Sequence, residues 1–172
     1  IASTFAKYFP LSDPFVIKDI QLDSVPVKGK YKLRIVYSGD DRNISVEKYA
    51  VKKIRSVLAV ECSDAEYSFK HEDRSLFSFL KNNDFDEIIV LKKGMVTDSS
   101  FSNLAFYDSG KWYTPEKFLL NGTMRQKLLA DKIIYEKKIP AEDIKKYEKI
   151  SFINSMLDLG ESCIGTDKIV LN

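Results

Sequence analysis

The spacing of apolar and polar residues predicts a chain of mixed strands and helices. Residues 31–37 alternate between an apolar and a more polar face, as a half-buried strand does. Residues 44–51 and 54–60 are two more predicted strands, and Gly39-Asp40-Asp41 marks a turn before them. We therefore predict a small antiparallel sheet, against which an opening helix that Pro10 stops can pack.

The spacing becomes helical after residue 70. Leu76, Phe79 and Leu80 share one face of a helix predicted over residues 72–80, and residues 88–91 form a predicted buried strand. The remaining predicted elements are strands at 96–106 and 111–114 with an Asp108-Ser109-Gly110 turn between them, a helix at 124–134, a short helix from Pro140, and a buried segment at 150–157.

The change of pattern near residues 63–70 indicates two lobes. A chain of 172 residues can bury one core or two small ones. We predict an N-terminal lobe over residues 1–65 and a C-terminal lobe over residues 66–172. The sequence starts with Ile1 inside a helical pattern, so we expect a further segment to precede it.

Composition argues against several classes of function. A net charge of +2 lacks the basic excess typical of nucleic-acid binding. Two cysteines and a single histidine, His71, predict neither a metal site nor a disulfide framework. No apolar run approaches the roughly 20 residues that span a bilayer, and no signal peptide is recognisable. We therefore expect a cytoplasmic protein that binds neither membrane nor nucleic acid.

Lys70 is the first candidate for chemistry. Aromatic residues and His71 flank it, and apolar neighbours beside a potential cation favour the neutral amine that a Schiff-base lysine needs. Most lysines are solvated surface charges, so on these grounds alone a surface lysine is the commoner interpretation.

Two polar segments are further candidates. Residues 121–125 (Asn-Gly-Thr-Met-Arg) open a predicted helix, where the free N–H groups of a first turn suit a phosphate. An ordinary helix start is the simpler interpretation. Residues 97–103 place a polar cluster in an otherwise apolar region, and such a cluster either forms a turn or faces a site. A turn is the commoner explanation.

Taken together, these segments resemble the class IV aminotransferases. The matching segments are Phe69 to Arg74, Asp86 to Leu91, Val96 to Leu104, Trp112 to Pro115, Leu120 to Gln126 and Ile153 to Leu157. They follow one collinear order. Within the family they are most similar to 4-amino-4-deoxychorismate lyase, which also has a lysine followed by histidine and arginine, and an Asn-Gly-x-Met-Arg-Gln helix start.

The resemblance implies pyridoxal 5′-phosphate (PLP) as cofactor. Lys70 would bind PLP covalently and move the proton at the substrate carbon. Asp98 stands where the family has a glutamate that pairs with the pyridine nitrogen and keeps the ring an electron sink. The other residues that the resemblance implies in cofactor binding, chiefly at the phosphate, are Gly122, Thr123, Met124, Asn154 and Ser155.

The resemblance also implies a fold and a reaction. The expected fold is the two-lobed α/β fold of D-amino-acid aminotransferase, with a small antiparallel first lobe, a larger barrel-like second lobe and PLP between them, in a homodimer. The expected reaction is elimination of pyruvate from an aminodeoxychorismate-like substrate. The alternative is amino transfer, as in D- or branched-chain amino-acid aminotransferases, and the sequence does not decide between them.

Departures from the family pattern support a rival hypothesis. Asp98 is one methylene shorter than glutamate, so its carboxylate falls about 1.5 Å short unless the backbone moves in. Ala105, Trp112 and Thr123 also differ from the usual residue classes, and the family's first strand and phosphate-binding arginine lie upstream of Ile1. The rival is a degenerate relative without turnover. A plain α/β binding domain would require the collinear motifs to be accidental.

Overall fold

The computed structural model describes residues 1–21, 28–80 and 84–172. The chain divides into two compact units, Ile1–Ala50 and Val51–Asn172. Each unit has its own secondary structure, and the candidate site residues all belong to the second.

The first unit is built from a helix and a β-hairpin. Its elements are α1 (Ala2–Tyr8), a 3₁₀ turn (Ile17–Asp19), β1 (Tyr31–Ser38) and β2 (Asp41–Lys48). The two strands pair antiparallel, and Gly39 in their two-residue turn has φ 55°, a conformation that favours glycine. Phe5 is 2% exposed and stacks on Tyr37 with 5.4 Å between ring centroids, which ties α1 to the hairpin.

In its described residues the second unit contains two sheets, two α-helices and two 3₁₀ helices, Ala141–Lys146 and Thr166–Lys168. Its elements are β3 (Val57–Glu61), α2 (Ser75–Leu80), β4 (Glu87–Lys92), β5 (Met95–Ser99), β6 (Asn103–Asp108), β7 (Lys111–Pro115), α3 (Thr123–Ala130), β8 (Ile134–Lys137), β9 (Lys149–Ile153), β10 (Cys163–Gly165) and β11 (Ile169–Leu171). One sheet has the order β11-β3-β4-β5 and the other the order β10-β9-β6-β7-β8. Strands β11, β3 and β4 run parallel, and the apolar run 88–91 is buried in β4, as parallel strands require.

The two sheets adjoin each other at both edges. At one edge, Val96 of β5 donates to the carbonyl of Ile139 (2.9 Å) and Ala141 donates to that of Gly94 (2.8 Å), just after β8. At the other, only the 3₁₀ turn Thr166–Lys168 separates β10 from β11. The expectations of a mixed α/β fold and a barrel-like second lobe are therefore confirmed.

Three element predictions differ from the structure. β3, predicted as a third antiparallel strand of the first lobe, lies between β11 and β4 in a sheet of the second unit. The strand predicted over 96–106 is two strands in different sheets. The helix predicted over 124–134 ends at Ala130, because Lys132 adopts φ 57° and Ile134 starts β8.

Other predictions were met in the described chain. The Asp108-Ser109-Gly110 turn joins β6 to β7, and both Ser109 and Gly110 have positive φ. Leu76 packs against a core cluster, whereas the side chains of Phe79 and Leu80 lie outside the described residues. The longest helix in residues 1–21, 28–80 and 84–172 has 8 residues, and none there could cross a bilayer.

Candidate active site

The turn between β5 and β6 carries the chain from one sheet to the other. Ser99 and Ser102 close it: the Ser99 N–H donates to the Ser102 carbonyl (2.9 Å), and the two hydroxyls lie 2.9 Å apart. The polar cluster at 97–103 thus contains a turn, residues 100–102, between the end of β5 and the start of β6. Five of its residues are buried, among them Asp98 before the turn and Asn103 after it.

Asp98 is a buried carboxylate held by three donors. Its Oδ1 accepts from Asn103 Nδ2 at 2.7 Å, and its Oδ2 accepts from the backbone N–H groups of Leu119 (2.8 Å) and Leu120 (2.9 Å). Its residue surface is 5% exposed. Desolvation raises the pKa of Asp98 from 3.8 to about 6, although the three hydrogen bonds and the nearby Arg125 act to lower it.

The carboxylate of Asp98 is bound by the chain that leads to α3. The backbone of residues 119–120 lies against it and runs directly into the helix. Asp98 is therefore linked to the start of α3.

Asn103 connects Asp98 to the start of α3. Its Nδ2 donates to both Asp98 Oδ1 and the Leu120 carbonyl (2.8 Å), and the residue is 6% exposed. Its Oδ1 lies so close to Gly122 that a Cβ on that residue would stand 2.1 Å away. Only glycine fits at position 122 with Asn103 in this position.

The first turn of α3 has no side-chain cap. Gly122 is the N-cap residue, with φ −66° and ψ 145°, and no side chain among the described residues caps the helix. Thr123 is exposed and Met124 half-buried. Such a helix start presents its first N–H groups to a ligand or to water.

The buried side chain of Arg125 anchors the start of α3. It is 2% exposed and donates to the Pro115 carbonyl (3.0 Å) and to Glu136 Oε1 (2.6 Å). Its guanidinium lies 4.6 Å from the centre of the Phe118 ring. The Arg125 side chain thus links α3 to the ends of β7 and β8.

Asn154 and Ser155 lie next to the β5–β6 turn. The β6–β9 register pairs Asn103 with Ile153, so Asn154 comes just past the paired region. Asn154 Nδ2 donates to the Phe101 carbonyl (3.3 Å), and its Oδ1 accepts from the Met156 N–H (2.8 Å). Ser155 is exposed. The structure therefore gathers Asp98, Gly122 and Asn154 around one turn.

Lys70 lies in the irregular segment between β3 and α2, and it is exposed. This exposure differs from the apolar surroundings expected for its amine, and the nearby Tyr67 turns inward, with its ring 4.9 Å from that of Phe77. The Tyr67 hydroxyl donates to the His71 carbonyl (2.8 Å), and Arg74 donates to the Ser100 carbonyl. The Arg74 contact ties the Lys70 segment to the β5–β6 turn. Exposure is compatible with a surface lysine and equally with one open to a ligand.

Several residues of this arrangement had no predicted role. Asn103 and Arg125 both lie in segments that resemble the family. The sequence feature that could have singled out Asn103 is its position as a polar residue at the start of the apolar segment 104–106. Glu87, 4% exposed, accepts from the Ser100 N–H (3.2 Å) and from Lys52 (2.9 Å) and supports the same turn. No sequence pattern indicated that contact.

The candidate site combines two groups that favour ligands of opposite charge. A buried carboxylate can accept a cationic N–H, and an uncapped helix start can accept an anion. Among the described residues no group of three or more His, Cys, Asp or Glu side chains could hold a metal ion. The fold and the site therefore define an α/β protein in which Asn103 joins a buried carboxylate to an uncapped helix start.

Comparison with known proteins agrees with this class. Residues 78–160 match the model of the family described as amino-transferase class IV. The crystal structure of a candidate 4-amino-4-deoxychorismate lyase from Haemophilus somnus is 39% identical, with a TM-score of 0.71, over 75% of this chain and 68% of that one. The chain belongs to the class IV aminotransferase family.

Two curated relatives extend the similarity. An uncharacterized protein of Haemophilus influenzae is 41% identical over 139 residues, which cover 80% of this chain and 74% of that protein. A candidate aminodeoxychorismate lyase of Schizosaccharomyces pombe is 28% identical over 148 residues, 80% of this chain and 58% of that protein. The chain thus spans between about half and three quarters of the length of these relatives.

Proposed function

We propose that this protein is a PLP-dependent enzyme whose cofactor lies at the β5–β6 turn. In this proposal Asp98 pairs with the pyridine nitrogen, and Lys70 is the lysine that binds the cofactor. The phosphate would be held by the start of α3 and the turn after β9, through Gly122, Thr123, Met124, Asn154 and Ser155. When bound, PLP supplies an electron sink for negative charge at the substrate carbon.

The buried carboxylate of Asp98 is the observation that carries the proposal. A carboxylate offers about four acceptor positions, and three donors of this chain are seen on Asp98. One position on Oδ1 is left for a further donor. Because burial raises the pKa of Asp98 to about 6, the ionised form gains from a cationic partner such as a pyridinium N–H.

The two ends of the site also suit the cofactor's shape. The uncapped start of α3 lies two residues after Leu120, whose N–H binds Asp98. A phosphate there would meet free N–H groups and the positive end of the helix dipole. The residues present therefore fit the group at both its ring nitrogen and its phosphate.

Lys70 is the residue proposed to transfer protons in the reaction. Its exposed amine is accessible to a ligand, and Arg74, four residues later, binds the turn that follows Asp98. In the proposed reaction the amine of Lys70 takes a proton from the substrate carbon and returns a proton to the product. Asp98 stays ionised throughout and orients the ring.

The substrate is proposed from the relatives of more than 25% identity. One curated relative and one solved structure are candidate aminodeoxychorismate lyases. We propose the same class of reaction here, elimination of pyruvate from an aminodeoxychorismate-like substrate, with amino transfer as the alternative. From the family resemblance we also propose a homodimer, and we propose that it acts in the cytoplasm.

The cofactor proposal is tested by fixing PLP to the protein. The full chain is incubated with PLP, reduced with borohydride and digested, and the pyridoxyl-bearing peptide is found by mass spectrometry. We expect label on Lys70, loss of label and of the visible absorption band in Lys70→Ala, and no change in Lys53→Ala, a second exposed lysine of the same unit. Label spread evenly over surface lysines would contradict the proposal.

The reaction is tested on protein that has been incubated with PLP and has not been reduced. Incubation with aminodeoxychorismate is followed by a lactate dehydrogenase assay for pyruvate, without any added keto acid. Pyruvate release that Lys70→Ala abolishes supports the lyase. Amino transfer from an amino acid to a keto acid, with no pyruvate from aminodeoxychorismate, would establish the alternative.

A further inference from the structure

Asn103 is the residue at which the two ends of the proposed cofactor site meet. Its amide nitrogen donates to Asp98 Oδ1 (2.7 Å) and to the Leu120 carbonyl (2.8 Å). Its amide oxygen lies against the Cα of Gly122, where an added Cβ would be 2.1 Å away. One side chain, 6% exposed, therefore contacts the carboxylate, the segment before α3 and the N-cap of α3.

We infer that Asn103 is a positioning residue, which holds the Asp98 carboxylate and the start of α3 at a fixed separation. The inference rests on the proposed function, because a fixed separation matters only for a ligand that spans both. A ligand with a ring nitrogen at one end and a phosphate at the other gains affinity when both partners are held in place beforehand.

The geometry explains why an amide suits position 103. The amide nitrogen has two hydrogens, and each has an acceptor: Asp98 Oδ1 and the Leu120 carbonyl. Asp98 in turn accepts from the Leu120 N–H, so Asn103, Asp98 and Leu120 form a closed set of hydrogen bonds. A hydroxyl at this position could donate to only one of the two acceptors.

The first test is made without cofactor. It distinguishes the effect of the Asn103 hydrogen bonds from the effect of the size of its side chain. The carboxyl carbon of Asp98 is followed by NMR as a function of pH in wild type, Asn103→Leu and Asn103→Ala. Removal of a donor to the ionised form should raise the Asp98 midpoint in both variants by at least about half a pH unit. Asn121→Ala, a neighbouring exposed asparagine, should leave it unchanged. An unmoved midpoint in Asn103→Leu would overturn the inference.

The second test addresses Gly122. Gly122→Ala should lower the urea midpoint of unfolding in wild type and in Asn103→Leu, where a side chain of similar size remains. In Asn103→Ala the added methyl finds space, and the loss should be at most about half as large. Equal losses in all three backgrounds would show that Asn103 does not set the position of Gly122. Should one variant fail to fold, the NMR titration of the other still decides.

The third test measures cofactor binding in place of turnover. Quenching of protein fluorescence gives the dissociation constant for PLP, and isothermal titration calorimetry gives that for inorganic phosphate. Asn103→Leu should weaken PLP binding by about tenfold or more, about 1.4 kcal/mol, and change phosphate binding little, because phosphate needs only one end of the site. Unchanged PLP affinity would overturn the inference. A wild-type protein that takes up no PLP would instead overturn the proposed function, while the two cofactor-free tests still decide the role of Asn103.

Discussion

The stability of the cofactor-free protein should fall as Asp98 ionises. An aspartate in an unfolded chain has a pKa near 3.8, and burial raises the pKa of Asp98 to about 6 in the folded protein. The folded state therefore holds its proton more tightly than the unfolded state. Stability is greatest below the unfolded pKa and is lost as the pH rises through the folded one.

The magnitude follows from the two pKa values. Each unit of difference corresponds to about 1.36 kcal/mol, so the change from 3.8 to about 6 amounts to about 3 kcal/mol. Because Asp98 is only 5% exposed, solvent screening does not reduce this figure much. The loss should occur between about pH 4 and pH 6 and stop above that.

The assay compares wild type with Asp98→Asn by urea unfolding from pH 4 to pH 8. Subtracting one free energy of unfolding from the other cancels the titration of distant groups. The asparagine amide meets the Asn103 donor and adds a penalty, but that penalty does not depend on pH. We expect the wild-type advantage to fall by about 3 kcal/mol across the window. A difference that is constant with pH, or that grows, would refute the assignment of a raised pKa to Asp98.

Other substitutions test the supporting structure. Arg125→Leu should cost about 2–4 kcal/mol of unfolding free energy in urea, because it removes a buried donor set, whereas Arg55→Leu on the surface should stay within about 0.5. Asp98→Glu should lower the thermal midpoint of the cofactor-free protein, since overpacking a filled buried position costs about 1–3 kcal/mol; an unchanged midpoint would show spare room. Tyr67→Phe removes the hydrogen bond to the His71 carbonyl and should cost about 1 kcal/mol and slow borohydride-trapped labelling of Lys70. Unaltered labelling would remove Tyr67 from the support of that segment.

The hydrophobic pattern of the second unit predicted many of its elements. The run Ile88-Ile89-Val90-Leu91 could only be a buried strand, and Asp108-Ser109-Gly110 could only be a turn. Local patterns of this kind depend on burial and on backbone conformation, which neighbouring residues largely decide. The order of the motifs alone likewise indicated the family.

Local pattern could not assign strands to sheets. Residues 54–60 have the character of any buried strand, and only the pairing of β3 with β4 and β11 placed it in the second unit. Residues 96–106 were predicted as one strand although the polar cluster 97–103 also suggested a turn, because that turn is held by serine hydroxyl contacts and contains no Gly or Pro. Pairing partners lie far apart in sequence, so no window of residues contains the information.

The sequence by itself supplied the candidates for the proposed site: a lysine, a carboxylate and a glycine-started helix, in an order typical of one family. Only the tertiary structure decided how they are joined. It placed Asn103 between Asp98 and Gly122, closed the backbone of Leu119 and Leu120 onto the shorter carboxylate, and left Lys70 exposed. Burial and then hydrogen bonds set the pKa of Asp98, and two of its three donors, Leu119 and Leu120, lie 21 and 22 residues away in sequence.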